Sequence, residues 1–486
     1  MKLFGLSQEQ IQEIVKSGNI RVAVFGMGSV GLPIAVAYAL RHCKVIGVDI
    51  DRRKVEMINN GINYLPHEPG LEKIPELVKK GYLKATTDGS SAASEADVII
   101  ILVPVGIDSN GKPTLHSLIS AAKTIGKGLR KDSLVILETT VPPGTTEGIL
   151  RRILERESGL KAGEDFALAF SPERVKAGTV IKDFLENYPK IVGGINEKST
   201  EAVAAFYSAI INNKVIKVSN PRVAELAKLF KGAFRYVNIA LADEYALICE
   251  LLGVDVNEVI NVANTEPYSM IHHPGPGVGG HCIPVYPYFL DYILQLGNSE
   301  FRLFRTARMI DLSMAKHVIY LLFEALNEAG RTIKGSTIAI LGLAFRGDVK
   351  VAYRTPARPI IEQLRELGAN VIAHDPFYTP EEIHENFNVR GAKDLNEALS
   401  DADAIIIVTD HTDYKRMSLN DFISLSRKKP VIIVDTRNII DLKEVFMNKK
   451  DIIYRGIGRG RAIFRGTSQI LEKYWHAVLR EYKISE

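Results

Sequence analysis

The stretch "IRVAVFGMGSVGLPIAVAYALRHCKVIGVDID", residues 20–51, decides the fold at the start of the chain. It reads as strand, glycine turn, helix, strand. Gly26, Gly28 and Gly31 stand in G-x-G-x-x-G spacing between an apolar run and a helix carrying Pro33 near its start. The next strand ends at Asp49, 18 residues past Gly31. In that context the glycines have separate duties. The first makes the turn, the second lets backbone N–H groups approach a pyrophosphate at the positive end of the helix, and the acidic residue accepts from ribose hydroxyls. Gly26, Met27, Gly28, Val30, Gly31 and Asp49 are therefore the expected dinucleotide-binding set. The charge of Asp49 repels a 2′-phosphate and favours NAD over NADP, with Arg52 and Arg53 pulling the other way.

The alternation continues outward from this turn. "ADVIIILVP" (96–104), "SLVILETTVP", "DFALAFSPE" and "PKIVGGI" read as strands with helices between most of them. Such a pattern predicts a parallel sheet covered on both faces. After about residue 220 the texture turns helical, with long segments at 221–253 and 301–330 and a shorter one, "VNEVINVAN", between them. From about 335 strands and helices alternate again. The expected fold is α/β: two Rossmann-like doubly wound domains joined by a central helical domain. The expected bounds are 1–218 for an NAD-binding domain, 219–330 for the helical domain and 331–486 for a second Rossmann-like domain. The latter carries "LGLAFRGD" where a fingerprint would stand, so a dinucleotide is not its expected ligand.

The bulk numbers narrow the function. A chain of 486 residues, 46% hydrophobic and 24% charged, is long enough for two or three domains. A formal charge of +4 gives no case for nucleic acid. The apolar run at 98–107 is far too short to span a bilayer. The first residues read as an amphipathic helix with no signal-peptide core, so a cytoplasmic location is expected. Cys43, Cys249 and Cys282 have no metal or disulfide spacing. Cys43 and Cys249 read as packing residues, and no metal site is expected.

Cys282 is different. It closes "GPGVGGHC" (275–282), behind Gly275, Gly277, Gly279 and Gly280. From the residues alone it is either a structural thiol in a tight loop or a nucleophile activated by a cation. On a helical wheel, Lys228, Gly232 and Arg235 share one face, while Phe230, Phe234, Val237 and Leu241 take the opposite one. The apolar stripe is thus expected to pack away from Lys228. A mid-helix glycine such as Gly232 costs about 1 kcal/mol relative to alanine, and it leaves room for a ligand or a neighbouring helix. Lys228 itself reads either as a solvated lysine or as a group facing a cleft.

Taken in order, "GMGSVGLPIA", "EPGL" (68–71), "TTVPPGTT" (139–146), "SPERVKAG" (171–178), "AELAKL" (224–229), "GPGVGGHC", "LGLAFRGD" (341–348) and "VDTRNI" (434–439) resemble the UDP-glucose/GDP-mannose dehydrogenase family over nearly the whole chain. Its members are NAD-dependent enzymes that oxidise the C6 alcohol of a nucleotide sugar to a carboxylate. "GGHC" and "PERV" resemble the N-acetylhexosamine branch. The resemblance implies a UDP-N-acetylhexosamine substrate, UDP-N-acetyl-D-mannosamine first, with UDP-N-acetyl-D-glucosamine or UDP-glucose as alternatives.

The resemblance also implies roles. Cys282 traps the C6 aldehyde, Lys228 stabilises the oxyanion, Glu173 acts as general base, and Thr140 helps to place a water and borders the cofactor. Glu173, Arg174, Val175, Lys176, Lys228, Arg235 and Gly279 would contact the substrate, with Arg346, Arg354 and Arg437 of the C-terminal domain taking its diphosphate or uridine. A homodimer or higher oligomer through the central helices is expected.

The chain departs from the family at four places. Tyr286 stands where an aspartate is usual, Gly232 for an asparagine and Val105 for a threonine, and Arg354 is displaced by one position. Two rival readings follow. One is a single-step β-hydroxyacid or 6-phosphogluconate-type dehydrogenase, which needs neither Cys282 nor residues 335–486. The other is a non-catalytic binder of NAD or a nucleotide sugar.

Overall fold

The computed structural model describes residues 3–465 and 468–481; the outer bounds of the expected domains, Met1 and Glu486, lie outside them. Its contacts divide the chain into two compact units. One holds residues 1–232 and 285–300, the other residues 233–284 and 301–486.

In the first unit the strands are β1 (Arg21–Phe25), β2 (Lys44–Val48), β3 (Leu83–Thr86), β4 (Val98–Ile101), β5 (Gly106–Ile107), β6 (Pro113–Thr114), β7 (Leu134–Leu137), β8 (Ala167–Phe170), β9 (Lys190–Gly194) and β10 (Val215–Lys217). β5 and β6 form a small separate hairpin, and the other eight make one sheet in the order β10-β9-β8-β7-β4-β1-β2-β3. From β3 to β8 the pairs are all parallel, and the strand order reverses between β1 and β4, which marks a doubly wound fold. The alternation predicts a parallel sheet, but this one is not parallel throughout. β9 runs antiparallel to β8, because the chain leaving Phe170 returns through two short helical segments, Val180–Lys182 and Asp183–Asn187, rather than a full crossover. Side chains of β1, β4, β7 and β8 are buried on both faces, apart from Arg21, which is why these strands read as unbroken apolar runs.

In the second unit β11 (Thr337–Leu341), β12 (Asn370–His374), β13 (Arg390–Gly391), β14 (Ala404–Ile407), β15 (Val431–Asp435) and β16 (Ile452–Gly456) form a wholly parallel sheet, ordered β13-β12-β11-β14-β15-β16. One face (Ile338, Ile340, Ala404, Ile406, Ile432, Val434) packs with Met314, Val318, Leu322 and Ala325 of a long helix, and the alternate residues build a core on the other face.

The same turn is built twice. Gly26 N–H donates to Val48 O at 2.8 Å, and Gly342 N–H donates to His374 O at 2.9 Å. Both glycines have positive φ, 98° and 89°. Met27 N–H donates to Asp49, and Leu343 N–H donates to Asp375. The copies diverge at the carboxylate. Asp375 is buried and lies 3.1 Å from His411 Nε2, whereas Asp49 keeps part of its side chain in solvent.

The long helices are Pro221–Leu252 and Arg302–Glu328, each followed by a glycine of positive φ, Gly253 and Gly330. A helix at Pro287–Leu296, with Pro287 at its first turn, has no counterpart in the sequence reading. The wheel's apolar stripe does point away from Lys228, but it is not core: Phe230 is 60% exposed, Phe234 53% and Leu241 40%. Among the described residues no helix is long and apolar enough to cross a membrane.

Candidate active site

The turn after β1 fits a dinucleotide. A Cβ on Gly26 would sit 2.8 Å from Leu102 O, and one on Gly31 would sit 1.7 Å from Gly26 O, so neither position takes a side chain. A Cβ on Gly28 would meet nothing within 4 Å, so the turn leaves open space just before the helix Gly31–Leu40. That is the space a pyrophosphate requires. Asp49 is held at the end of β2 by Met27 N–H (2.9 Å) and Asp51 N–H (3.0 Å). Tyr64 OH donates to Met27 O, Met27 is buried and Val30 half-buried. Arg52 and Arg53 are exposed, with Arg53 beside Asp51.

In the same unit Lys228 and Glu173, 55 positions apart, come together: the Lys228 ammonium donates to the Glu173 carbonyl oxygen. The Glu173 carboxylate accepts from Val175 N–H. Burial raises the Glu173 carboxyl above its ordinary range, with the Lys228 charge pulling the other way. Arg174 donates to Pro189 O and lies over the Tyr188 ring. Lys176 is exposed, and its N–H donates to Asp183. Thr140 and Val105 are buried, and a Cβ on Gly232 would meet nothing within 4 Å.

The second unit holds the cysteine loop. Cys282 is exposed, while Cys43 and Cys249 are buried; burial pushes the Cys43 thiol up to about 12. The glycines serve the packing of the loop. A Cβ on Gly279 would lie 2.6 Å from Phe345 Cβ and 2.7 Å from Arg354 O. Gly280, at φ 85°, donates to Tyr353 O at 2.9 Å. Arg354 is exposed at φ 50°, and Arg346 is half-buried. Arg437 Nε donates to Val408 O, and its Nη1 would touch a Cβ on Gly275 at 2.9 Å. Arg235 is exposed. Back in the first unit, Tyr286 is buried against Phe289.

Sequence reasoning passed over the carboxylates that hold these loops. Glu225, fully buried one turn before Lys228, accepts from Gly144 N–H, Thr146 N–H and Thr146 Oγ1–H. Glu68 accepts from Gly178 and Val180 N–H, just past Glu173. Both lie inside motifs quoted above, but nothing in a motif says what its acid binds. Among the described residues no cluster of His, Cys, Asp or Glu could hold a metal ion.

Residues 20–211 match the NAD binding domain of the UDP-glucose/GDP-mannose dehydrogenase family, 222–312 its central domain and 339–442 its UDP binding domain. A protein named UDP-N-acetyl-D-mannosamine dehydrogenase, from Pyrococcus horikoshii, is 38% identical over 91% of this chain and 100% of its own length. The chain belongs to the UDP-glucose/GDP-mannose dehydrogenase family. It is an NAD-dependent oxidoreductase of the nucleotide-sugar dehydrogenase class. An NDP-N-acetyl-D-galactosaminuronic acid dehydrogenase of Ralstonia nicotianae is 34% identical over 87% of this chain and 97% of that one. The solved UDP-D-ManNAc dehydrogenase of P. horikoshii superposes with a TM-score of 0.81 at 37% identity, covering 91% of this chain and 100% of that one.

Proposed function

We propose that this protein is a UDP-N-acetyl-D-mannosamine 6-dehydrogenase that takes the C6 alcohol to the uronic acid in a four-electron oxidation. The observation that carries the reading is the exposed Cys282 thiol on a loop packed against the UDP binding domain. The relative named UDP-N-acetyl-D-mannosamine dehydrogenase, matched along its full length, supports the sugar. The Ralstonia relative supports a second reading, another epimer of the same UDP-N-acetylhexosamine class. The functional division is 1–218 for cofactor, 219–330 for the catalytic lysine and cysteine, and 331–486 for UDP.

Bound NAD supplies the hydride acceptor, and the overall reaction consumes two molecules of it in turn. Asp49 and the glycine turn orient the cofactor. Glu173 takes the proton of the C6 hydroxyl as general base, its carboxyl raised above the ordinary range by burial. Lys228 stabilises the negative charge that develops on the C6 oxygen. Loss of the first hydride from C6 gives the aldehyde; the Cys282 sulfur then adds to its carbon as the C6 oxygen takes up a proton, and the thiohemiacetal keeps it from escaping. Loss of a second hydride leaves a thioester. Water placed by Thr140 and Glu173 cleaves its C–S bond, releasing the carboxylate and the thiol. Arg174, Val175, Lys176, Arg235 and Gly279 contact the sugar, and Arg346, Arg354 and Arg437 the nucleotide. The exposed Phe230, Phe234 and Leu241 support a homodimer through the central helices. NAD and nucleotide sugars are cytoplasmic metabolites, which supports that location.

The test is NADH yield from limiting sugar. The reading expects two NADH per UDP-N-acetyl-D-mannosamine, lost in Cys282→Ala, with less from the gluco epimer and UDP-glucose. One NADH per sugar, insensitive to that substitution, would remove the thioester role. Binding of nucleotide sugar without turnover would make the protein a non-catalytic binder.

A further inference from the structure

The loop that carries Cys282 has no regular secondary structure between Thr265 and Val285, yet Pro274, Gly275, Pro276, Gly279 and Gly280 are buried. Buried N–H groups in such a segment must find acceptors. Two come from carboxylates in the middle of the two long helices. Gly275 N–H donates to Asp243 Oδ1 at 2.9 Å. Val278 N–H donates to Asp311 Oδ1 at 2.6 Å. Asp311 Oδ2 is itself fixed by Tyr236 OH (2.5 Å) and Arg308 Nη1 (2.9 Å). Asp243 is fully buried, and its Oδ2 has no hydrogen-bond partner among the described residues.

We infer that Asp243 and Asp311 are positioning residues that set the place of the Cys282 thiol by pinning the backbone of its loop at Gly275 and Val278. As a positioning role in catalysis it rests on Cys282 being the nucleophile; as a tether it stands on the geometry alone. A buried carboxylate with an unpartnered oxygen destabilises a fold, and burial, with Asp311 nearby, raises the Asp243 carboxyl well above its ordinary range. An apolar side chain would suit that helix better. What the carboxylate adds is an anchor of fixed length on a glycine that has no side chain to anchor itself. With Gly280 N–H bound to Tyr353 O, the glycine-rich stretch is held at Gly275, Val278 and Gly280 before the cysteine. Reacting groups tolerate little displacement: a shift of about 1 Å costs about 10²-fold in rate.

The experiment compares Asp243→Leu, Asp243→Asn, Asp311→Leu and Asp311→Asn in the full chain, with thermal unfolding as the check of folding. Asparagine keeps an acceptor for the loop N–H and leucine does not. The expected result is a kcat lowered about 10²-fold in the leucine variants with the KM for NAD unchanged, and recovery to within about threefold in the asparagine variants. Leucine variants that keep kcat, or asparagine variants that lose as much as leucine, overturn it. Where a leucine variant does not fold, amide hydrogen exchange of the wild type decides. Gly275 and Val278 must exchange much more slowly than His273 and Gly277 of the same loop; equal exchange overturns the tether. If Cys282→Ala keeps its full NADH yield, the nucleophile reading falls and the exchange comparison alone judges the tether.

Discussion

Thr146 meets Glu225 through two hydrogen bonds, its N–H at 3.0 Å and its hydroxyl at 2.7 Å, both on Glu225 Oε1. Glu225 Oε2 takes Gly144 N–H as well. The carboxylate therefore ties the segment after Thr140 to the helix turn that carries Lys228. Removing it strands three donors, two of them backbone. Glu225→Ala is expected to destabilise the protein by about 3 kcal/mol, read as a lower urea midpoint for the first unfolding transition. Glu225→Gln, which keeps one acceptor, should lose less than half of that.

The carboxyl of Glu173 is raised by burial while Lys228 draws it down. A base must be ionised to work, so kcat/KM should fall on the acid side with an apparent pKa above the ordinary glutamate value of about 4.3. Glu173→Gln should remove that limb together with most of the rate. An acid limb at or below 4.3 in the wild type would contradict this assignment.

Asp243 gives a pH dependence of stability with a definite sign. Its folded pKa is raised by burial first, so the folded protein holds a proton that the unfolded chain releases. The stabilising effect is full below the unfolded value of about 3.9 and is lost as pH rises toward the folded one, at about 1.4 kcal/mol per unit. Asp243→Asn lacks this loss. Its melting temperature should exceed the wild type's at pH 7 and converge with it toward pH 4. Parallel melting curves across that range would show the carboxyl to be unshifted.

Phe230 and Phe234 stand one turn apart on the outer face of the helix Pro221–Leu252, both more than half exposed. Two such side chains left in water cost the fold about 1.5–3 kcal/mol each relative to burial, and a second copy would cover them. Phe230→Glu combined with Phe234→Glu should convert a sedimenting dimer into a monomer. A wild type that sediments as a monomer at micromolar concentration would remove the dimer from the proposed function.

Sequence alone determined the fold class and the glycine turn of the first unit. The run 20–51 gives a strand, turn and helix that only glycine at 26 and 31 can close, because backbone oxygens lie where a Cβ would be. That requirement is local, so it is written locally. Strands buried on both faces spell themselves as apolar runs for the same reason. The antiparallel return of β9 escaped, since strand direction depends on the path of the connection and not on the strand's composition. The partners of Lys228, Glu225, Asp243 and Asp311 also escaped. A buried acid in a helix has the same letter whether it is solvated or accepts a distant N–H, and Glu225 reaches back 79 positions to Thr146. The wheel found the right face for Phe230 and Phe234 but not their exposure, because period gives direction around a helix and nothing about what stands there. Only the tertiary structure decided which loops are pinned and by which charges, for those contacts join parts of the chain that share no local signal.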